Sequence, residues 1–280
     1  MTRIALLGAG GKMGMRLAAN LQGSAYEVEH VEVSEEGRRR LQEKLGLTCV
    51  DADAALAGAD VVLMAVPDAL IGKIAHTFVD KLKPGTALIM LDAAAPHAGE
   101  LPERRDVTYF VTHPCHPPLF KYEKSAEAQK DYFGGVAAQQ AIVSALMQGP
   151  EEHFRLCEDI ARTIYAPVMR AHRTTVEGMA LLEPALSETI GATLVTALRE
   201  ATDAVVARGV PKEAAMDFML GHLGIELAIL FEEFPGQFSD GALQAIAAAK
   251  PRLLKENWLD VLEPEAVRAS VEAICNPSRP

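Results

Sequence analysis

The chain has no long basic run, no Cys-x-x-Cys pair, no apolar stretch that is both long and charge-free, and no internal repeat or low-complexity segment. Each absence excludes a class of function. Nucleic acids and anionic membrane surfaces are gripped by clustered Lys and Arg, and a formal net charge of −11 offers the opposite field. Without a bilayer-spanning run, no membrane partner is expected either. Cys49, Cys115, Cys157 and Cys275 are widely scattered, which in 280 residues reads as reduced thiols and a cytoplasmic location rather than a disulfide framework. The opening Met1-Thr2-Arg3-Ile4-Ala5-Leu6-Leu7 lacks the long apolar core and small-residue cleavage site of a signal peptide.

What is present is apolar material in two rhythms. About half of the residues are apolar, 49%, enough for one large core or two modest ones, and two domains are expected. Up to residue 112, short apolar runs at 4–7, 28–33, 61–66, 87–91 and 108–111 alternate with amphipathic stretches. That alternation means βαβ units and a parallel sheet. After Pro117-Pro118 one apolar run remains, at 141–147, followed by stretches of helical period at 150–165, 176–208 and 211–231. The first of these helices opens with Pro150-Glu151-Glu152, and Gly209 and Pro211 separate the other two. The predicted class is therefore α/β: an N-terminal Rossmann parallel sheet over residues 1–130, and a mainly α-helical C-terminal domain over residues 131–280 for substrate binding and dimerisation. Homodimerisation is expected because the helices of residues 176–231 carry more apolar surface than one small domain covers.

Gly8-Ala9-Gly10-Gly11-Lys12-Met13-Gly14 lies between an apolar strand and an amphipathic helix. There a pyrophosphate rests on the N–H groups at the helix N-terminus. The loop fits G-x-G-x-x-x-G through Gly8, Gly10 and Gly14, and equally G-x-x-G-x-x-G through Gly8, Gly11 and Gly14. A glycine pattern alone is only a tight turn; a strand, a loop, a helix and a second strand in line make it a dinucleotide site. The second strand ends in Ser34-Glu35-Glu36, with no arginine before Arg38. Acid there repels a 2′-phosphate, so NAD is expected rather than NADP. Glu32 or Ser34 is the candidate ribose contact. Asp68, in Val66-Pro67-Asp68 at the end of another strand, either borders the nicotinamide ribose or caps the next helix.

Two further segments carry chemistry. Thr112-His113-Pro114-Cys115-His116-Pro117-Pro118 places two imidazoles on a proline-stiffened turn at a strand's carboxyl end, where each is a candidate proton carrier or ligand. Cys115 is a weaker candidate, since adjacent residues seldom point inward together. Glu183 stands directly before Pro184 among apolar residues, and a proline inside a helix disrupts the turn before it, which can aim a carboxylate at a cavity.

The glycine loop ending in Met13-Gly14, the His113-Pro114 turn and the helical second half resemble β-hydroxyacid dehydrogenases, prephenate dehydrogenases and ketol-acid reductoisomerases. His113-Pro114-Cys115-His116-Pro117-Pro118, Leu146-Met147-Gln148-Gly149-Pro150-Glu151-Glu152 and Leu182-Glu183-Pro184-Ala185 together resemble a narrower group, the D-apionate oxidoisomerase family. This resemblance implies an NAD-dependent oxidoisomerase acting on a small sugar acid: oxidation of a branched 2-hydroxy acid, then metal-assisted migration of a hydroxymethyl group. β-Hydroxyacid dehydrogenases carry a catalytic lysine on the long helix, yet Glu177 to Gly191 contains none; Glu183 and Glu188 stand there instead. The departure implies that a divalent cation, Zn or Mg, supplies the missing charge, with His113 and Glu183 as ligands and His116 and Glu188 as catalytic groups. The alternatives are a metal-independent dehydrogenase of a 3-hydroxy acid or prephenate-like substrate, with a histidine as base, and a non-catalytic NAD-sensing dimerisation module.

Overall fold

The computed structural model describes residues 1–120 and 122–276. Five strands, β1 (Arg3–Leu7), β2 (Glu27–Val31), β3 (Val61–Met64), β4 (Ala87–Met90) and β5 (Thr108–Pro114), alternate with α1 (Lys12–Leu21), α2 (Glu35–Leu45), α3 (Ala52–Gly58), α4 (Ile71–Phe78) and α5 (Ala94–His97). They pair in parallel. After α6 (Ala126–Lys130) come β6 (Gln140–Gln148), α7 (Glu151–Ile164), β7 (Val168–Arg173) and α8 (Val176–Ala180). β6 runs antiparallel to β5 and β7 parallel to β6, completing the order β2-β1-β3-β4-β5-β6-β7.

β3 and β4 are buried at every position, the mark of parallel strands covered on both faces. On one face Leu6, Leu63, Ile89 and Phe110 meet Leu17 of α1 and Cys157 and Ile160 of α7. β1 has β2 on one side and β3 on the other, which puts a switch in strand order at its carboxyl end, where open α/β sheets bind ligands.

The chain divides at Leu181/Leu182 rather than near residue 130. The reason is that β6 and β7 extend the sheet and α7 caps its core, so they cannot leave the nucleotide-binding unit. That unit holds Met1–Leu181 and the stretch from Arg268 onward; the second is Leu182–Val267. β7 escapes the sequence pattern because, as an edge strand, its alternation Val168-Met169-Arg170-Ala171-His172-Arg173 is half polar.

The helix expected at 176–208 is also interrupted. α8 gives way to a π-helical stretch, Leu181–Ala192, with Pro184 inside it, before α9 (Thr193–Val206) resumes the ordinary register. Proline brings no N–H and crowds the carbonyl four residues back, so the turn widens. α9, α10 (Lys212–Leu230) and α11 (Asp240–Leu253) build the second unit, and α12 (Pro264–Cys275) returns the chain to the first. Few side chains of the second unit are buried, while Val195, Phe218, Leu220, Leu230 and Phe231 are 61–70% exposed. Among the described residues no helix is long and apolar enough to cross a membrane.

Candidate active site

The glycine loop after β1 is fixed by backbone contact on every side. Gly8 has φ 74°, and a Cβ there would overlap the Ala65 carbonyl; one on Gly10 would run into the Gly37 backbone, and one on Gly14 into the Gly8 carbonyl. At Gly11 a Cβ would sit 3.2 Å from the Gly8 oxygen, a tight but much milder contact. The sterically required set is therefore Gly8, Gly10 and Gly14. The N-cap Gly11 offers no side-chain oxygen, and the first turn of α1 holds no acid, so its N–H groups are left for an anion. Lys12 is exposed at this first turn, and Met13 packs against the core.

The turn after β2 braces the loop. Glu32 is 7% exposed; its Oε2 accepts from the Gly10 N–H at 2.9 Å and its Oε1 from the Ser34 N–H at 2.8 Å. Ser34 caps α2, its Oγ accepting from Gly37 at 3.3 Å. Both side chains thus have backbone partners, which the sequence did not reveal. Between this turn and α4 lies a cleft of about 340 Å³ walled by Leu7, Val31, Val33, Leu56 and Val66. Lys81 and Asp53 pair at 3.0 Å on its lining. An apolar slot beside a pyrophosphate site suits an adenine ring. Its residues come from five elements, so no local motif could announce it.

At the other side of the switch, Asp68 and Asp92 follow the carboxyl ends of β3 and β4, and His113 stands at the carboxyl end of β5. Pro67, not Asp68, occupies the N-cap of the short turn Asp68–Leu70, and no side chain caps it; the capping reading of Asp68 fails. Burial pushes the Asp68 carboxyl up to about 6, helped by repulsion from Asp92 and opposed by His113. Asp92 is buried and accepts from the Ala94 N–H at 2.6 Å. Sequence reading missed Asp92, which ends an apolar run just as Asp68 does.

The two imidazoles stand edge to face, centroids 6.1 Å apart. Nδ1 of His113 is 2.8 Å from the Pro114 carbonyl, and Nδ1 of His116 is 2.8 Å from that of Phe133. A carbonyl only accepts, so each contact needs a proton on Nδ1, and the neutral form of each ring then has its lone pair on Nε2. Cys115 is exposed between them in sequence, and its backbone N–H donates to the Ala141 carbonyl at 2.9 Å. Among the described residues no three His, Cys, Asp or Glu side chains form a metal cage. Glu183 and Glu188 belong to the second unit, in its π-helical stretch: Glu183 is half-buried ahead of buried Pro184, and Glu188 is exposed.

Residues 121–275 match the family model of the phosphogluconate dehydrogenase (decarboxylating) C-terminal domain, and residues 3–96 match NADP oxidoreductase, coenzyme F420-dependent. The chain is 57% identical over 274 residues to a D-apionate oxidoisomerase of Rhizobium rhizogenes, covering 98% of this chain and 100% of that one. It is 58% identical over 272 residues to a D-apionate oxidoisomerase of Cupriavidus necator, with 97% and 99% covered. A crystal structure of a semialdehyde dehydrogenase NAD-binding protein from Cupriavidus necator, in complex with calcium and NAD, superposes with a TM-score of 0.97 at 58% identity, covering 98% of this chain and 99% of that one.

Proposed function

The chain belongs to the D-apionate oxidoisomerase family and is an NAD-dependent oxidoreductase, and from that premise we propose that it oxidises D-apionate, or a closely similar branched 2-hydroxy acid, and rearranges the product to 3-oxo-isoapionate. The observation that carries this reading is the near-complete identity-rich match to curated oxidoisomerases, joined to a glycine cradle in which three Cβ atoms would collide with backbone.

The residues that would hold the dinucleotide are the loop Gly8, Gly10, Gly11, Lys12, Met13 and Gly14 with the N–H groups of α1 for its pyrophosphate, Glu32 and Ser34 at its adenosine end and Asp68 at its nicotinamide end. It would supply the acceptor for the hydride leaving C2 of the substrate. His116 takes the C2 hydroxyl proton at Nε2, the nitrogen that its Phe133 contact leaves with the lone pair. The product is a 2-oxo acid with a tertiary alcohol at C3. Loss of the C3 hydroxyl proton lets the hydroxymethyl group move from C3 to C2, forming a ketone at C3 and an alcohol at C2; atoms and electrons balance within the molecule. Glu188 is the proposed second proton carrier.

Negative charge passes from one oxygen to its neighbour during the shift, and His113 and Glu183 are the residues proposed to hold a divalent cation, Zn or Mg, which would supply electrostatic stabilisation of that charge. His113 suits the part because its Nδ1 contact with a carbonyl is the arrangement of a metal-binding imidazole. So few protein ligands would leave such a metal exchangeable. The test is NADH release from D-apionate by the wild type, His113→Ala and Glu183→Gln, with and without chelator. Loss in both variants and in chelator, restored to the wild type by added metal, is expected. Chelator-insensitive turnover returns the enzyme to the plain dehydrogenase class.

The second unit's exposed apolar side chains further support a homodimer, and four free cysteines support a cytoplasmic location.

A further inference from the structure

His116 occupies a backbone conformation that has to be imposed. Its φ is 60°, a left-handed geometry that costs a residue bearing a Cβ about 1 kcal/mol or more unless its surroundings enforce it. The enforcing contacts come from one residue on a separate segment. The Phe133 carbonyl accepts from Nδ1 of His116 at 2.8 Å, and the Phe133 ring lies tilted against the imidazole, centroids 4.8 Å apart.

Phe133 is itself clamped from the cofactor side. The Arg16 guanidinium sits 4.2 Å from the ring centroid, and its Nη1 donates to the Gly134 carbonyl at 2.8 Å. Lys12 Nζ lies 4.9 Å from the same centroid. Both cations stand on α1, whose N-terminus is the pyrophosphate seat. Behind the ring, Asp131 accepts four backbone N–H groups, from Gly134, Val136, Ala137 and Ala138, at 2.9–3.1 Å. Phe133 is only half-buried. A half-buried ring held between two cations and a histidine has a local task.

We propose that Phe133 is a positioning residue: its carbonyl and ring set the His116 imidazole with Nε2 as proton acceptor, and its stack on Arg16 ties that setting to the cofactor-binding helix. The proposal deepens the reading of His116 as base and rests on it for its kinetic consequence only. The imidazole geometry is a separate matter and is measured separately.

The experiment uses the full-length wild type, Phe133→Leu, Phe133→Tyr and Arg16→Met. Three quantities are read: NADH affinity by fluorescence titration, kcat and KM with NAD and D-apionate, and the His116 tautomer from long-range ¹H–¹⁵N imidazole spectra, assigned with His116→Gln. Phe133→Leu is expected to keep NADH affinity within about twofold while kcat falls about tenfold or more, the scale of a displaced general base. Every variant keeps the main-chain carbonyl of residue 133, so the Phe133→Leu spectrum changes from the Nδ1–H form to a mixture because the lost ring no longer holds that carbonyl against Nδ1. Phe133→Tyr, which keeps the ring, restores kcat to within about threefold and restores the spectrum. Arg16→Met gives a smaller loss of kcat with the same spectral trend, and stands in if Phe133→Leu does not fold. An unchanged His116 spectrum in a folded Phe133→Leu or Arg16→Met protein overturns the proposal. So does a kcat loss in Phe133→Leu that Phe133→Tyr fails to repair. If His116→Gln itself turns over normally, the base assignment falls, while the spectra still decide whether Phe133 sets the ring.

Discussion

At the scale of single residues, the glycine loop divides positions that look alike in sequence. Gly10 and Gly11 are neighbours, and either fits a dinucleotide pattern, but a side chain at Gly10 meets the Gly37 backbone while one at Gly11 meets a single oxygen at 3.2 Å. Gly10→Ala and Gly14→Ala are therefore expected to weaken NAD binding about tenfold or more, and Gly11→Ala by no more than about threefold, measured by NADH fluorescence titration. Equal losses at all three would show that the loop yields as a whole. Thiols give a second residue-scale prediction. Burial pushes Cys157 up to about 12 and Cys275 up to about 11, the latter with help from Glu100, Asp92 and Asp68. Both side chains are buried, while Cys115 is exposed. A disulfide reagent at about pH 8 should label Cys115 in the native protein and reach Cys157 and Cys275 only on unfolding. The sequence had marked the loop glycines, both histidines and Asp68, since each sits at a strand end next to a turn. It did not mark Asp92, Phe133 or the backbone partners of Glu32, because those roles exist only when separate segments meet.

At the scale of elements, the Asp131 loop links local chemistry to stability. Burial would raise the Asp131 carboxyl, but the N–H donors of Ala137, Ala138, Val136 and Gly134 outweigh it and hold it below its ordinary value of 3.8. A carboxyl depressed in the folded state contributes stability above its unfolded value and loses it as pH falls toward the folded one. Asp131→Asn should then be less stable than the wild type at neutral pH, with the gap closing below pH 3.8 in denaturant titrations. A gap that persists at lower pH would mean that shape rather than charge holds the loop. The sheet makes a plainer prediction: Phe110 is fully buried and packs edge to face on Phe154 at 5.5 Å, so Phe110→Ala should cost about 3–5 kcal/mol. Of the elements, β1 to β5 are readable from apolar period, while β6 shows only as an apolar run at 141–147. β7 is not, because an edge strand needs apolar residues on one face only. The helical period of residues 176–208 runs on through Pro184, and the π-helical widening around that proline is a main-chain adjustment that the period does not carry.

At the scale of the whole molecule, the division into an α/β nucleotide-binding unit and a helical unit follows from the change of period along the chain. The boundary does not, since β6, α7 and β7 lie past the compositional change yet complete the sheet. The helical unit exposes Val195, Phe218, Leu220, Leu230 and Phe231, large apolar side chains of the kind that a subunit interface buries. Light scattering should give twice the chain mass of 30.1 kDa; a strictly monomeric mass would contradict the dimer. The central claim is the reaction itself, oxidation coupled to rearrangement at one NAD site. It is tested most directly by incubating the enzyme with D-apionate carrying ¹³C at both hydroxymethyl groups, plus NAD and a divalent metal, while following NADH and the carbon spectrum together. One NADH per substrate consumed and a product with a ketone at C3 are expected. One labelled hydroxymethyl carbon should be bonded to C2 and the other to C3. NADH formation with every label still bonded to C3 would contradict it.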